Sequence, residues 1–203
     1  MIRNSILEIF NNTWPMIVIC TVILSSMRII YIIKNKEHFI FYKEMMMLAF
    51  IIYIMCIFYV VTFQDVSWST SNFIPFKEMF RYDFGSRLFF KNVVGNAIMF
   101  MPYGFFIGYF LKIDKKRHTF ILSLITSLTI ELTQLKIGRV FDIDDILLNI
   151  VGGIIGFCIY KFISKIKDRL PEFLKNNVFY NIMVVVLLVT FILYLTNYLK
   201  VGV

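Results

Sequence analysis

Long apolar runs alternate with short basic stretches along nearly the whole chain. Six runs approach the roughly 20 helical residues that a hydrocarbon core of about 30 Å requires. They are Thr13–Ile33, Met45–Phe63, Asn92–Leu111, His118–Leu135, Ile146–Phe162 and Phe179–Tyr198. The pattern predicts an all-α fold, a polytopic membrane helix bundle of about six transmembrane helices. Trp14-Pro15 opens the first run with a proline suited to a first helical turn. No small-residue cleavage site follows it, so the run reads as an uncleaved anchor. Arg28 lies about one turn from the end of that run, placed to snorkel to the interface. The one long connection, Gln64–Lys91, is aromatic-rich and contains Asn72-Phe73-Ile74-Pro75-Phe76. Such a segment is expected at the headgroup level.

Three regions follow. Residues 1–64 carry two N-terminal spans, residues 65–163 a core of three polar-lined helices, and residues 164–203 a basic loop and a last span. Composition removes the soluble alternative: of 203 residues, 59% are hydrophobic and only 17% charged, with a mean hydropathy of +0.77. Soluble chains hold about 45–50% apolar residues. The net charge of +8 fits basic loops on an anionic membrane better than nucleic acid. The first, third and fifth loops hold twelve Lys and Arg, from Lys34 to Lys175, against eight on the other side. That bias places the termini outside the cytoplasm. Cys20, Cys56 and Cys158 all sit in apolar runs and act as small hydrophobes.

The polar residues within the runs are concentrated. Asn92 and Asn96 are one turn apart in the third run, and Pro102 is expected to kink it by freeing the Ile98 carbonyl. In the fourth, Ser123, Ser127, Glu131 and Gln134 fall within about 80° of one another at about 100° per residue. In the fifth, Asn149, Gly152, Gly153 and Gly156 share a face, preceded by Arg139, Asp142, Asp144 and Asp145. Three consecutive antiparallel helices bring these groups to one membrane face. Asp142 reads in part as a helix cap, with Asp144 and Asp145 complementing the dipole. Gly104-x-x-x-Gly108 and Gly152-x-x-x-Gly156 read as close-packing faces. Glu131, a carboxylate inside the membrane, needs a partner, and Arg139 is the nearest cation in sequence. Asn96, Glu131, Gln134, Arg139, Asp142, Asp145 and Asn149 therefore form the candidate ligand site, with Pro75, Pro102, Gly104, Gly152 and Gly156 as its framework. No ligand spacing marks a metal, no cofactor is implied, and no nucleophile–base pair is present, so catalysis is not the leading expectation.

At these residues the chain resembles the VanZ-like family of bacterial membrane proteins. The elements that match are Asn72-Phe73-Ile74-Pro75-Phe76, Asn96-x-x-x-Phe100-x-Pro102-x-Gly104 and Glu131-x-x-Gln134. They continue with Arg139-x-x-Asp142-x-Asp144-Asp145-x-x-x-Asn149-x-x-Gly152-Gly153-x-x-Gly156, and together cover roughly residues 65–160. The resemblance implies a plasma-membrane protein linked to reduced susceptibility to the glycopeptide teicoplanin. Its expected partners are membrane lipids and either a lipid-linked cell-wall precursor or a lipoglycopeptide. The abundance of Ile, Lys, Asn and Phe fits an AT-rich, Gram-positive source. Two alternatives stand beside this reading. One is an intramembrane enzyme acting on a lipid phosphate through Asp142 or Asp145; the other is a small proton-linked transporter using Glu131.

Overall fold

Apolar runs of this length have one stable form in lipid, because only a helix satisfies every backbone group within its own segment. The computed structural model describes residues 2–63 and 71–201, with side chains over 11–62 and 71–194. Each predicted run is a helix: α1 (Ile2–Asn35), α2 (Phe41–Phe63), α3 (Arg87–Leu111), α4 (Lys116–Lys136), α5 (Ile143–Arg169) and α6 (Asn177–Val201). Among the described residues five of these, all but α4, are long and apolar enough to cross a membrane. The chain is a multi-pass membrane protein. At 21 residues α4 has the length of a span, and its polar stripe is what lowers its apolarity.

Several boundaries differ from expectation. Pro15 is not in a first turn: α1 starts at Ile2 and continues through it. Helix α3 begins before Asn92 and includes a wide π-type turn, Phe90–Val94, which a 3.6-residue period does not anticipate. Ser86 caps α3, its hydroxyl accepting from the Phe89 N–H at 3.1 Å. Pro102 lies within α3, which stays helical to Leu111. The start of the aromatic-rich connection, residues 64–70, and the side chains of Arg3 and Lys200 lie outside the described residues.

The chain divides into two compact units, one of residues up to Trp14 with Tyr53–Lys165, the other of Pro15–Ile52 with Ile166–Val203. In the second, Arg28 reaches the end of α1 and holds Glu44 through two hydrogen bonds of 3.0 and 3.1 Å, with Glu37 at 3.2 Å. There too the Tyr42 N–H donates to Asn181 Oδ1 at 2.9 Å.

The first unit holds the polar helices. Parallel helices α3 and α5 approach until their backbones touch. A Cβ on Gly104 would lie 1.8 Å from the Gly153 carbonyl oxygen, one on Gly152 2.0 Å from that of Ala97, and one on Gly156 1.8 Å from that of Met101. Small residues one turn apart thus form the close-packing face expected of them. Phe100, Tyr103 and Ile107 build one apolar cluster, and Phe141, Ile146 and Ile150 another.

Candidate functional site

Helix α5 needs acceptors for its first N–H groups. Asp142 supplies one: its Oδ1 accepts from the Asp144 N–H at 2.9 Å and also from Asn72 Nδ2 at 2.9 Å. The capping role expected of Asp142 is present. The second contact fastens a distant segment to the helix start. Asn72 pairs with Asp142 as a single parallel β-bridge, its N–H donating to the Phe141 carbonyl at 2.8 Å and its carbonyl accepting from the Ile143 N–H at 3.1 Å. Asn72 Oδ1 then accepts from the Ile74 N–H at 3.1 Å, an Asx turn that starts the strap of residues 71–86.

Asp144 holds the rest of that strap. Its Oδ1 accepts from the Phe76 N–H at 2.5 Å, and its Oδ2 from the N–H groups of Glu78 and Met79 at 2.8 and 3.1 Å. Phe76 has a φ of 68°, a left-handed conformation uncommon for a bulky residue. Successive N–H groups in such a turn form a concave nest that favours an anion. Here the anion is internal, a side chain only 1% exposed. Sequence reasoning assigned Asp144 to the helix dipole and left it and Asn72 out of the site. An acidic triplet in a chain that also holds an Asn-x-x-Pro turn was the available signal.

The other carboxylates lie beside this anchor. Glu131, 2% exposed, accepts the Asp142 N–H on Oε2 at 2.9 Å. Asp145, in the first turn of α5, accepts from Asn96 Nδ2 of α3. Asn149 donates from Nδ2 to Ser127 Oγ at 2.9 Å. Gln134, half-buried, contributes its carbonyl to the turn after α4, accepting the Arg139 N–H at 2.9 Å. Burial holds the Asp142 carboxyl above the usual range. The Asn72 and Asp144 hydrogen bonds oppose that rise, and the charges of Asp144 and Glu78 add to it.

Arg139 does not pair with Glu131. Its guanidinium turns to the end of α2 and donates from Nη1 to the carbonyls of Val61 at 2.5 Å and Val60 at 3.4 Å. Val60 and Val61 lie in the last described turn of α2, toward the negative end of the helix dipole, where a cation is well placed. The carboxylates are left with N–H and amide donors. Among the described residues, none of Glu131, Asp142, Asp144 and Asp145 belongs to an ion pair.

Over this cluster the strap displays apolar side chains. Phe73 stacks on Phe141 with ring centres 5.2 Å apart, yet it stays 65% exposed, with Phe80 at 85% and Phe84 at 92%. Lys77, Arg81 and Arg87 alternate with them.

A sequence model of one family, VanZ/LLP1, matches residues 50–164. The chain belongs to the VanZ/LLP1 family. No curated protein and no solved structure matches it. The matched segment contains every residue of the carboxylate cluster, the strap and the glycine face. Helix α1 and helix α6 lie outside it, so the VanZ/LLP1 portion coincides with the polar-lined helices and the last turns of α2 that Arg139 caps.

Proposed function

We propose that this VanZ/LLP1 protein binds an amphiphile or lipid-linked cell-envelope ligand at the outer leaflet and so reduces susceptibility to lipoglycopeptides such as teicoplanin. The carrying observation is a cluster of four carboxyl groups, Glu131 and Asp144 buried and Asp142 and Asp145 partly buried, that form no ion pair among the described residues and lie beside a strap of exposed aromatics. A carboxyl group keeps acceptor lone pairs on its oxygens whether ionised or protonated. The neighbouring N–H groups use some of these, and the rest suit a headgroup rich in hydroxyl and amine donors. Phe73, Phe80 and Phe84 offer apolar surface for a tail at the same level. Asp145, Asn96, Glu131, Asp142, Gln134 and Asn149 line the headgroup site in this reading, and Arg139 is a positioning residue. The excess of Lys and Arg on the odd-numbered loops supports the outer-leaflet orientation.

The reading is tested by binding to the purified full chain in lipid nanodiscs. Teicoplanin, which has a lipid tail, should bind saturably and at least about 10-fold more tightly than vancomycin, which has none. Asp145→Asn should weaken teicoplanin by about 10-fold or more, the equivalent of about 1.4 kcal/mol, while an amide oxygen keeps the Asn96 contact. Equal uptake of teicoplanin by protein-loaded and empty nanodiscs would refute the proposal.

A further inference from the structure

Along α4, Thr119, Ser123, Ser127 and Glu131 follow one another at intervals of four residues, and each is 2% exposed or less. They mark one polar position per turn over about 18 Å of helix rise, more than half of a hydrocarbon core of about 30 Å. Ser127 is bonded to Asn149. Three other oxygens on this seam, Thr119 Oγ1, Ser123 Oγ and Asn149 Oδ1, are buried with no hydrogen-bond partner. Thr119 and Ser123 are fully buried and Asn149 is 3% exposed. Buried polar atoms nearly always find a partner, so three unpaired along one seam call for an explanation.

The ordinary solution is used elsewhere on the same helix. The exposed Thr129 and Thr133 donate to the carbonyls four residues back, at 2.8 and 2.7 Å. Thr119 and Ser123 instead face inward, with Ser123 Oγ against the Gly153 backbone, where a Cβ would lie 2.2 Å from it. The glycine leaves the hydroxyl its place and gives it no hydrogen bond.

We propose that the Thr119–Ser123–Ser127 seam holds a file of ordered water that carries protons between Glu131 and the opposite end of α4. Side chains one turn apart are about 5–6 Å from each other. One water bridges that gap with two hydrogen bonds of about 2.8 Å. A hydroxyl both donates and accepts, so each can take a proton from one neighbour and pass its own to the next. Asn149 occupies one lone pair of Ser127 and leaves its O–H for the file. Glu131 is the titratable end member. Asp142, whose N–H it accepts, and Asp145 stand beside it at the acidic face, and the exposed Lys116, Arg117 and His118 are the first residues of α4 at the far end. A proton enters on the Glu131 carboxylate, passes from oxygen to oxygen and leaves beyond Thr119. No electron moves and no bond other than O–H is made or broken. Helix α4 has no Asp or Glu between Thr119 and Ser127 to compensate a bare metal cation, so the proton is the ion this seam suits. The inference is independent of the ligand proposed above.

The full chain, reconstituted in liposomes with an entrapped pH dye and a potassium diffusion potential, should admit protons at least about 10-fold faster than protein-free liposomes. Glu131→Gln should return the rate to the protein-free level, and Ser123→Ala should lower it at least 5-fold. Hydration is read separately, in chains whose Cys20, Cys56 and Cys158 are alanine. Thiols ionise and react where water reaches them. Ser123→Cys should therefore react with a small aqueous thiol reagent at least 10-fold faster than Ile125→Cys, although Ile125 is 57% exposed and Ser123 is buried. Any one of three results overturns the proposal: a wild-type flux at the protein-free rate, a flux that survives both substitutions, or equal labelling at positions 123 and 125.

Discussion

Asp144→Asn is expected to release the strap from α5, whereas Asp142→Asn is expected to leave it in place. The difference follows from which oxygens are used. Asp142 accepts both the Asn72 amide and the Asp144 N–H through Oδ1 alone, and an asparagine keeps one such oxygen and caps about as well. Asp144 accepts through both oxygens, from Phe76 on one side and from Glu78 and Met79 on the other. An amide can serve only one side, and its NH2 would face an N–H on the other. A hydrogen bond to a charged group contributes about 1.5–3 kcal/mol, so at least that much anchoring is lost. Hydrogen exchange over residues 72–82 should accelerate by about 10-fold or more in Asp144→Asn, at one factor of ten per about 1.4 kcal/mol. It should stay near wild type in Asp142→Asn. Equal protection in the two variants would contradict the anchoring role of Asp144.

The second large effect is steric. Gly104→Ala puts a methyl 1.8 Å from the Gly153 carbonyl oxygen, and Gly156→Ala puts one 1.8 Å from that of Met101. In both cases the obstacle is backbone, which can yield only if α3 and α5 move apart. Overpacking typically costs about 1–3 kcal/mol and more where nothing can adjust, so a loss of about 3 kcal/mol or more is expected for each. Gly108→Ala should cost less, because its obstacle, 2.4 Å away, is the ring of Tyr160. Gly138 provides the opposite control. Nothing lies within 4 Å of its Cβ position, and the cost of alanine there comes from a φ of +84°, about 1–2 kcal/mol. Thermal unfolding in detergent should rank Gly104 and Gly156 above Gly138. A Gly104→Ala chain as stable as wild type would refute the close approach of α3 and α5.

How far this architecture could be read beforehand depended on the kind of contact involved. Runs of apolar residues and small residues one turn apart are periodic, and both the helices and the glycine face followed from period alone. The convergence of Asn96, Glu131, Asp142, Asp145 and Asn149 followed from antiparallel connectivity. Arg139 was assigned to Glu131 because it lay near in sequence, but the carbonyls at the end of α2, some 78 residues away, were a competing acceptor that no spacing reveals. The Asp144 anchor was hidden for the same reason. Its partners are backbone N–H groups 65 to 68 residues distant, and a main-chain donor leaves no mark on the side-chain pattern. Pro15 shows the limit of local signals: a residue favoured in first turns can lie within a longer helix when the segment before it is helical too.

The proposed role is tested most directly in cells. The full chain and its Asp145→Asn variant would be expressed at matched levels in a teicoplanin-sensitive host, and growth inhibition by teicoplanin compared with that by vancomycin. The account predicts that the wild-type chain raises the inhibitory concentration of teicoplanin several-fold and leaves that of vancomycin nearly unchanged, and that Asp145→Asn removes the protection without changing the melting temperature. Protection that is absent with the wild-type chain, or undiminished in Asp145→Asn, would contradict it.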